Sequence, residues 1–117
     1  MTLEEFIISH SEDDTSRLIL RRDKWPDVDV PLAVNIIECR RKIRQKLPEW
    51  YAVPGLIYPD RICAEQSSSS FTANYKASVA GRILSSIAAD GRRIADLTGG
   101  LGVDSLAFSA VADKVLY

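Results

Sequence analysis

Ile94-Ala95-Asp96-Leu97-Thr98-Gly99-Gly100-Leu101-Gly102-Val103-Asp104-Ser105 passes from a short apolar run, through three glycines, into a stretch suited to a helix. That order predicts a strand at 94–97, a tight turn at 98–102 and a helix from about Val103 to Ala112, the opening of an α/β nucleotide-binding unit. Residues 113–114 make the next turn and 115–117 begin a second strand. The chain must reverse sharply at the C-terminal edge of the first strand while letting a cofactor approach the backbone. Side chains at Gly99, Gly100 and Gly102 would obstruct that approach. A carboxylate at Asp96 suits a pyrophosphate poorly but suits a cation well, which favours a sulfonium cofactor over a dinucleotide. A GxG pair alone also serves structural turns; its place between strand and helix gives it weight.

Upstream of this stretch, Ser67 to Ser70 precede a long helix expected to run from Phe71 to about Ala89, stopped by Asp90-Gly91 with the glycine left-handed. Phe71, Tyr75, Val79 and Ile83 form one i+4 row, and Ala73, Ala77, Ala80, Leu84 and Ala88 fill another side. Little of this helix looks made for water, so it is expected to lie against a sheet or a helical layer. Lys76 projects from its apolar surface. It is read either as a stem packed on apolar neighbours with its ammonium in solvent, or as a charge pointing into a site.

Between Leu47 and Ser70, prolines and Gly55 interrupt aromatic and aliphatic residues, which predicts an ordered loop, or a loop with a short strand. Before it, Pro31 opens a helix whose Leu32, Ile36, Cys39, Ile43 and Leu47 recur at intervals of three or four. The same helix carries Arg40, Arg41, Lys42, Arg44 and Lys46. Projected at about 100° per residue they surround the stripe without forming a ridge, which favours a solvated face over contact with RNA or phosphate. Nearer the N-terminus, Thr2 and Glu5 form a capping box for a short helix, and a second short helix follows from about Asp13.

The totals exclude more than they assign. At 117 residues, 46% hydrophobic and 26% charged, the chain has the make-up of one globular unit or of a piece of a larger one. A net charge of −1 gives no general electrostatic case for nucleic acid or an anionic membrane. Cys39 and Cys63 lack metal-ligand spacing, so no metal is expected and reduced thiols in a cytoplasmic protein are. The acidic N-terminus is not a signal or transit sequence, and no run approaches the roughly 20 apolar residues that span a bilayer.

Asp96-Leu97-Thr98-Gly99-Gly100-Leu101-Gly102 resembles motif I of class I S-adenosylmethionine-dependent methyltransferases, with Thr98 where the first glycine usually stands. That variation is similar to the D-x-[TC]-x-G-x-G loop of a subgroup that includes some rRNA methyltransferases. Residues 47–51 (LPEWY), 65–68 (EQSS) and 72–77 (TANYKA) further resemble the N-terminal half of a bacterial methyltransferase family with a C-terminal THUMP-like domain. The resemblance implies an α/β fold: a helical N-terminal region over 1–62 with an ordered loop, then, over 63–117, the first β-α-β of a Rossmann-like methyltransferase sheet, truncated. It implies S-adenosylmethionine as cofactor and RNA as substrate class, with cofactor contacts from Asp96, Thr98, Gly99, Gly100 and Gly102, and from Gln66, Ser67, Ser68 and Lys76 as further lining. Capping is the competing role for 66–68. No catalytic residue is identified.

In such enzymes an acidic residue at the end of the second strand holds the ribose hydroxyls. The chain stops inside that strand, so the expectation is a fragment, inactive alone, with an unpaired sheet edge open to self-association. The same missing acid, and Asp96 beside the loop, disfavour an NAD-type enzyme. The alternative class is a helical binding module with a structural glycine turn, using the basic helix at 40–46 against a partner.

Overall fold

Helix α1 (Leu3–Ser9) begins with reciprocal bonds: the Glu5 N–H donates to Thr2 Oγ1 over 3.2 Å, and the Thr2 N–H donates to the Glu5 carboxylate over 2.8 Å. Two otherwise orphaned donors are satisfied at once, as the Thr-x-x-Glu spacing requires. The computed structural model describes residues 1–87 and 90–117. It divides into two compact units, Met1–Glu65 and Gln66–Tyr117.

In the first unit, Asp14 caps α2 (Thr15–Leu20) through the N–H groups of Ser16 and Arg17, and a 3-10 turn follows at Arg22–Lys24. Asp29 caps α3 (Val30–Ile43), with Pro31 in its first turn, where a missing N–H costs nothing. The buried face of α3 is wider than the expected stripe. Ala33, Val34 and Ile37 join Ile36, Cys39 and Ile43 in the core, while Leu32 is only half-buried. Helices α1 and α2 both pack on α3 and contribute Phe6, Ile7 and Leu18. The ring of Phe6 meets that of His10 at 4.4 Å and the edge of Trp25 at 5.1 Å.

The basic residues of α3 and the turn after it lie on a solvated surface, with Arg41, Lys42 and Arg44 exposed, and most of them also bond within the unit. Arg41 donates to the carbonyls of Ser11 and Asp13, Arg44 pairs with Glu12, and Lys46 donates to the Glu65 carbonyl. Arg40 lies over the Tyr51 ring, 4.2 Å from its centroid, and donates to the Val53 carbonyl. A helical projection gives the direction of a side chain but not the loop carbonyl waiting there, so the solvated face was foreseen and its bonds were not.

The proline-rich segment forms two short helices instead of a loop with a strand: α4 (Pro48–Tyr51) and α5 (Arg61–Gln66). Pro48 sits in the first turn of α4, and the Asp60 carboxylate accepts from the Cys63 N–H over 2.8 Å at the start of α5. Prolines and a cap favour short helices here, and the alternation a strand needs is missing.

In the second unit, Ser69 caps α6 (Ser70–Ile87) by accepting from the Thr72 N–H. The expected end of this helix, at about Ala89, lies outside the described residues; Gly91 beyond it has the expected positive φ, 65°. Strand β1 (Arg93–Ala95) pairs in parallel with β2 (Lys114–Leu116), Ile94 opposite Val115, and α7 (Val103–Phe108) connects them. The Asp96 N–H continues the ladder to the Leu116 carbonyl at 2.8 Å. Strand β1 and helix α7 are shorter than the sequence suggests, and β2 begins one residue earlier than expected, at Lys114.

Only one of the two apolar sides expected of α6 is covered. The row of Phe71, Tyr75, Val79 and Ile83 is largely bare, with Phe71 84% and Tyr75 63% exposed, whereas Ala73, Ala77 and Leu84 on the other side are buried. Small residues let α6 approach its main neighbour, α7, closely, and a Cβ at Gly81 would stand 3.1 Å from Val111 Cγ1. Apolar periodicity reports that a face is apolar, not which of two such faces is covered. Among the described residues no helix is long and apolar enough to cross a membrane.

Candidate cofactor site

The glycine turn sits at the C-terminal end of β1, where parallel α/β sheets place their ligands. Its geometry begins with Asp96. The N–H and hydroxyl of Thr98 both donate to Oδ1, at 3.1 and 3.0 Å, and the Ser105 hydroxyl donates to Oδ2 at 2.8 Å. The Ser105 bond, followed by those from Thr98, holds the Asp96 carboxyl below the usual carboxylate range. The carboxylate keeps its negative charge, but much of its accepting capacity serves the turn itself. Thr98 therefore fits a loop-organising role, its hydroxyl doing what a glycine could not.

Gly99, Gly100 and Gly102 all have positive φ, with Gly102 at 81°, a conformation that disfavours any side chain. Space differs among them. Beyond Gly100 a Cβ would meet only the Thr98 carbonyl, at 3.7 Å, so the backbone there is approachable. At Gly99 a Cβ would stand 3.0 Å from Tyr117 Cε2, and at Gly102 it would stand 3.6 Å from the same atom. Tyr117 also donates its hydroxyl to the Gly100 carbonyl. Sequence reasoning placed Tyr117 in a strand and missed this contact, which is 17 residues long-range and has no local signature.

A second cluster stands on the same helix turn as the first. Lys76 Nζ donates to Ser68 Oγ at 3.0 Å and to Asp104 Oδ2 at 3.2 Å, and Ser68 donates to the same oxygen at 3.1 Å. Asp104 and Ser105 are consecutive, with Cα atoms about 3.8 Å apart, so α7 ties Lys76 to one carboxylate while tying Asp96 to its own first turn. Of the sequence candidates, Ser68 and Lys76 are thus brought together, by a residue not chosen, Asp104. Gln66 is exposed at the end of α5 and Ser67 is half-buried before Ser68, and the cap of α6 comes from Ser69. A wide groove of ≈ 670 Å³, lined by Ser78, Arg82, Ser85, Arg92 and Asp113 among others, touches none of the candidate residues. It lies by the N-terminal ends of the strands, away from the glycine turn.

No family model and no curated protein matches the chain. Among solved structures, the chain is similar to the crystal structure of a "putative methyltransferase from Porphyromonas gingivalis W83", at 28% sequence identity and a TM-score of 0.68. The similarity covers 97% of this chain and 26% of that one, so these residues correspond to about a quarter of the other protein's length. Nearly the whole chain therefore has a methyltransferase-like fold, mostly helical with a small parallel sheet.

Proposed function

We propose that this chain is part of a class I S-adenosylmethionine-dependent methyltransferase of Rossmann-like fold, and that its glycine turn binds the methyl donor. The observation carrying this reading is the turn at the end of β1: a backbone open at Gly100 beside a fixed, ionised Asp96. An open glycine backbone admits an adenosine-bearing ligand, and the charge of Asp96 favours a sulfonium over a pyrophosphate. The likeness to a methyltransferase structure supports the same reading. The donor supplies an activated methyl group, and the protein's part is proximity and alignment.

RNA is the substrate class we propose, on the strength of the motif resemblance. The basic helix gives little independent support, because Arg40, Arg41, Arg44 and Lys46 are engaged within their own unit. On this reading the protein is bacterial and cytoplasmic, and the 117 residues alone bind donor without transferring methyl groups; stoichiometric methyl transfer by the purified chain would contradict that. Among the described residues each strand pairs on one side only. Self-association through those edges would appear as a concentration-dependent mass in light scattering.

Tyr117 favours a second reading, in which the glycines exist to seat its ring and the turn is structural within a binding module. Calorimetric titration with S-adenosylmethionine and S-adenosylhomocysteine separates the two. Saturable binding by the chain, retained or tightened in Tyr117→Ala, supports the donor site. No binding by either form, nor by a folded chain extended through the acidic residue expected at the end of the second strand, supports the structural turn.

A further inference from the structure

We infer that a second site, in the first unit, binds a nucleotide of single-stranded RNA: the base lies against Trp25 and the phosphates meet Arg21 and Lys24. The inference rests on the RNA reading above and gives it a place in the molecule. A cavity of ≈ 360 Å³ opens among the end of α1, α2 and the 3-10 turn, and small-ligand pockets span about 300–1,000 Å³. Its apolar part is buried Leu18 with the rings of His10 and Trp25. These rings are fixed before any ligand arrives. Trp25 meets Phe6 at 5.1 Å and His10 at 5.2 Å, both edge-on, yet it is only half-buried and lines the cavity. His10 is held in turn by the Asp13 carboxylate, which accepts from Nδ1 at 2.6 Å.

The charges around the cavity differ in what they are free to do. Asp13 is tied to His10, and Asp14 accepts from the N–H groups of Ser16 and Arg17 as the cap of α2. Arg17 pairs with Asp14 at 3.9 Å, an exposed contact of little strength. Arg21 and Lys24 are exposed, and neither has an ion pair among the described residues. Both carboxylates are therefore committed while two cations are available beside a fixed aromatic ring. The local balance is positive although the whole chain carries −1. A free phosphate would use only the cations, and an apolar ligand only the rings. A nucleotide uses both, with a flat base to stack and a phosphate one sugar away. The strand is single because a paired base already has its faces covered by its neighbours in the duplex.

The test titrates the whole chain with decauridylate and follows two signals: anisotropy of the labelled strand, and tryptophan fluorescence in Trp50→Phe, where Trp25 is the tryptophan that remains. Saturable quenching of Trp25 is expected. Trp25→Ala should weaken binding roughly 10- to 100-fold, the worth of one stacked base, and Trp25→Phe should recover most of the loss. Arg21→Gln combined with Lys24→Gln changes only exposed side chains, and so decides the matter even if Trp25→Ala fails to fold. It should lower affinity and reduce the slope of log K against log salt by about 1.4, at ~0.7 for each lost phosphate contact. Lys42→Gln, an exposed cation of α3 outside the cavity, should change nothing. Inorganic polyphosphate, with charge but no bases, should bind weakly and leave Trp25 unquenched. Polyphosphate bound as tightly as the RNA, an equal loss in Lys42→Gln, or no binding of decauridylate would each overturn the inference. A hairpin RNA bound without dependence on Trp25, Arg21 or Lys24 would remove this site and leave the RNA reading standing. Failure to bind either RNA would count against that reading as well.

Discussion

The two units are built on different physics. The largest fully buried side chains, Phe6, Ile7, Ile36, Ile37, Ile43 and Leu47, belong to residues 1–65. Residues 66–117 bury Ala73, Ala77, Leu84, Val103 and Ser105, and leave Phe71, Leu97 and Leu106 in solvent. The first unit has a packed core with loop carbonyls tied to arginines. In the second, small residues allow close helix packing, and side-chain hydrogen bonds around Asp96 and Asp104 order the turn. A region that is ordered by polar contacts and carries little buried apolar area sits at the low end of local stability, where ligand-binding segments are usually drawn from. The contrast suggests a scaffold and a site, divided along the chain.

The largest effect that could break this contrast is in the core. Ile36→Ala should cost about 2–5 kcal/mol in urea unfolding, as a large side chain lost from a closed interior does. An exposed counterpart in the other unit, Leu106→Ala, should change stability by no more than about 0.5 kcal/mol. Comparable losses for the two would erase the distinction. Next in size, Arg41→Met removes the donors to the Ser11 and Asp13 carbonyls and should cost about 1 kcal/mol, seen in the same unfolding curves. A neutral result would mean that these surface bonds add nothing to the fold.

Two smaller effects sharpen the comparison through titration. The Asp96 carboxyl is lowered chiefly by the Ser105 hydroxyl, so its contribution is present above the ordinary value of about 3.9 and is lost as pH falls through the lower folded value. Carbon-13 titration of Asp96 should follow that course, and Ser105→Ala should raise the midpoint toward the ordinary value. In the first unit, burial pushes the Cys39 thiol up to about 11, while hydrogen bonding to Asp60 raises Cys63, which is only partly covered. Alkylation at pH 8 followed by mass spectrometry should modify Cys63 well before Cys39. The reverse order would mean that the core around α3 is open.

The sequence was most legible where the physics is local. Thr2 with Glu5, Pro31 at the start of α3, and the order of strand, glycine turn and helix each depend on spacings of a few residues, and each forms, the strand and helix over fewer residues than expected. Contacts between distant residues were not legible in this way. Lys76 meets Asp104 across 28 positions, and Arg41 meets Ser11 across 30, with no periodicity to announce either pair. The bare Phe71 row was misjudged for a related reason, since α6 has two apolar sides and α7 covers the one with small residues. At the site, the glycines and Asp96 could be chosen from type and order alone. Tyr117 and Asp104 emerged only when the chain was folded.

The central claim is that the turn after β1 binds the methyl donor. The most direct test is a nitrogen-15 NMR titration of the chain with S-adenosylhomocysteine. The account predicts saturable shifts concentrated at the amides of Thr98, Gly99, Gly100, Gly102 and Ser105, with the amides of α3 unmoved. A saturated titration that leaves those glycine amides in place, or shifts only residues of the first unit, would contradict it.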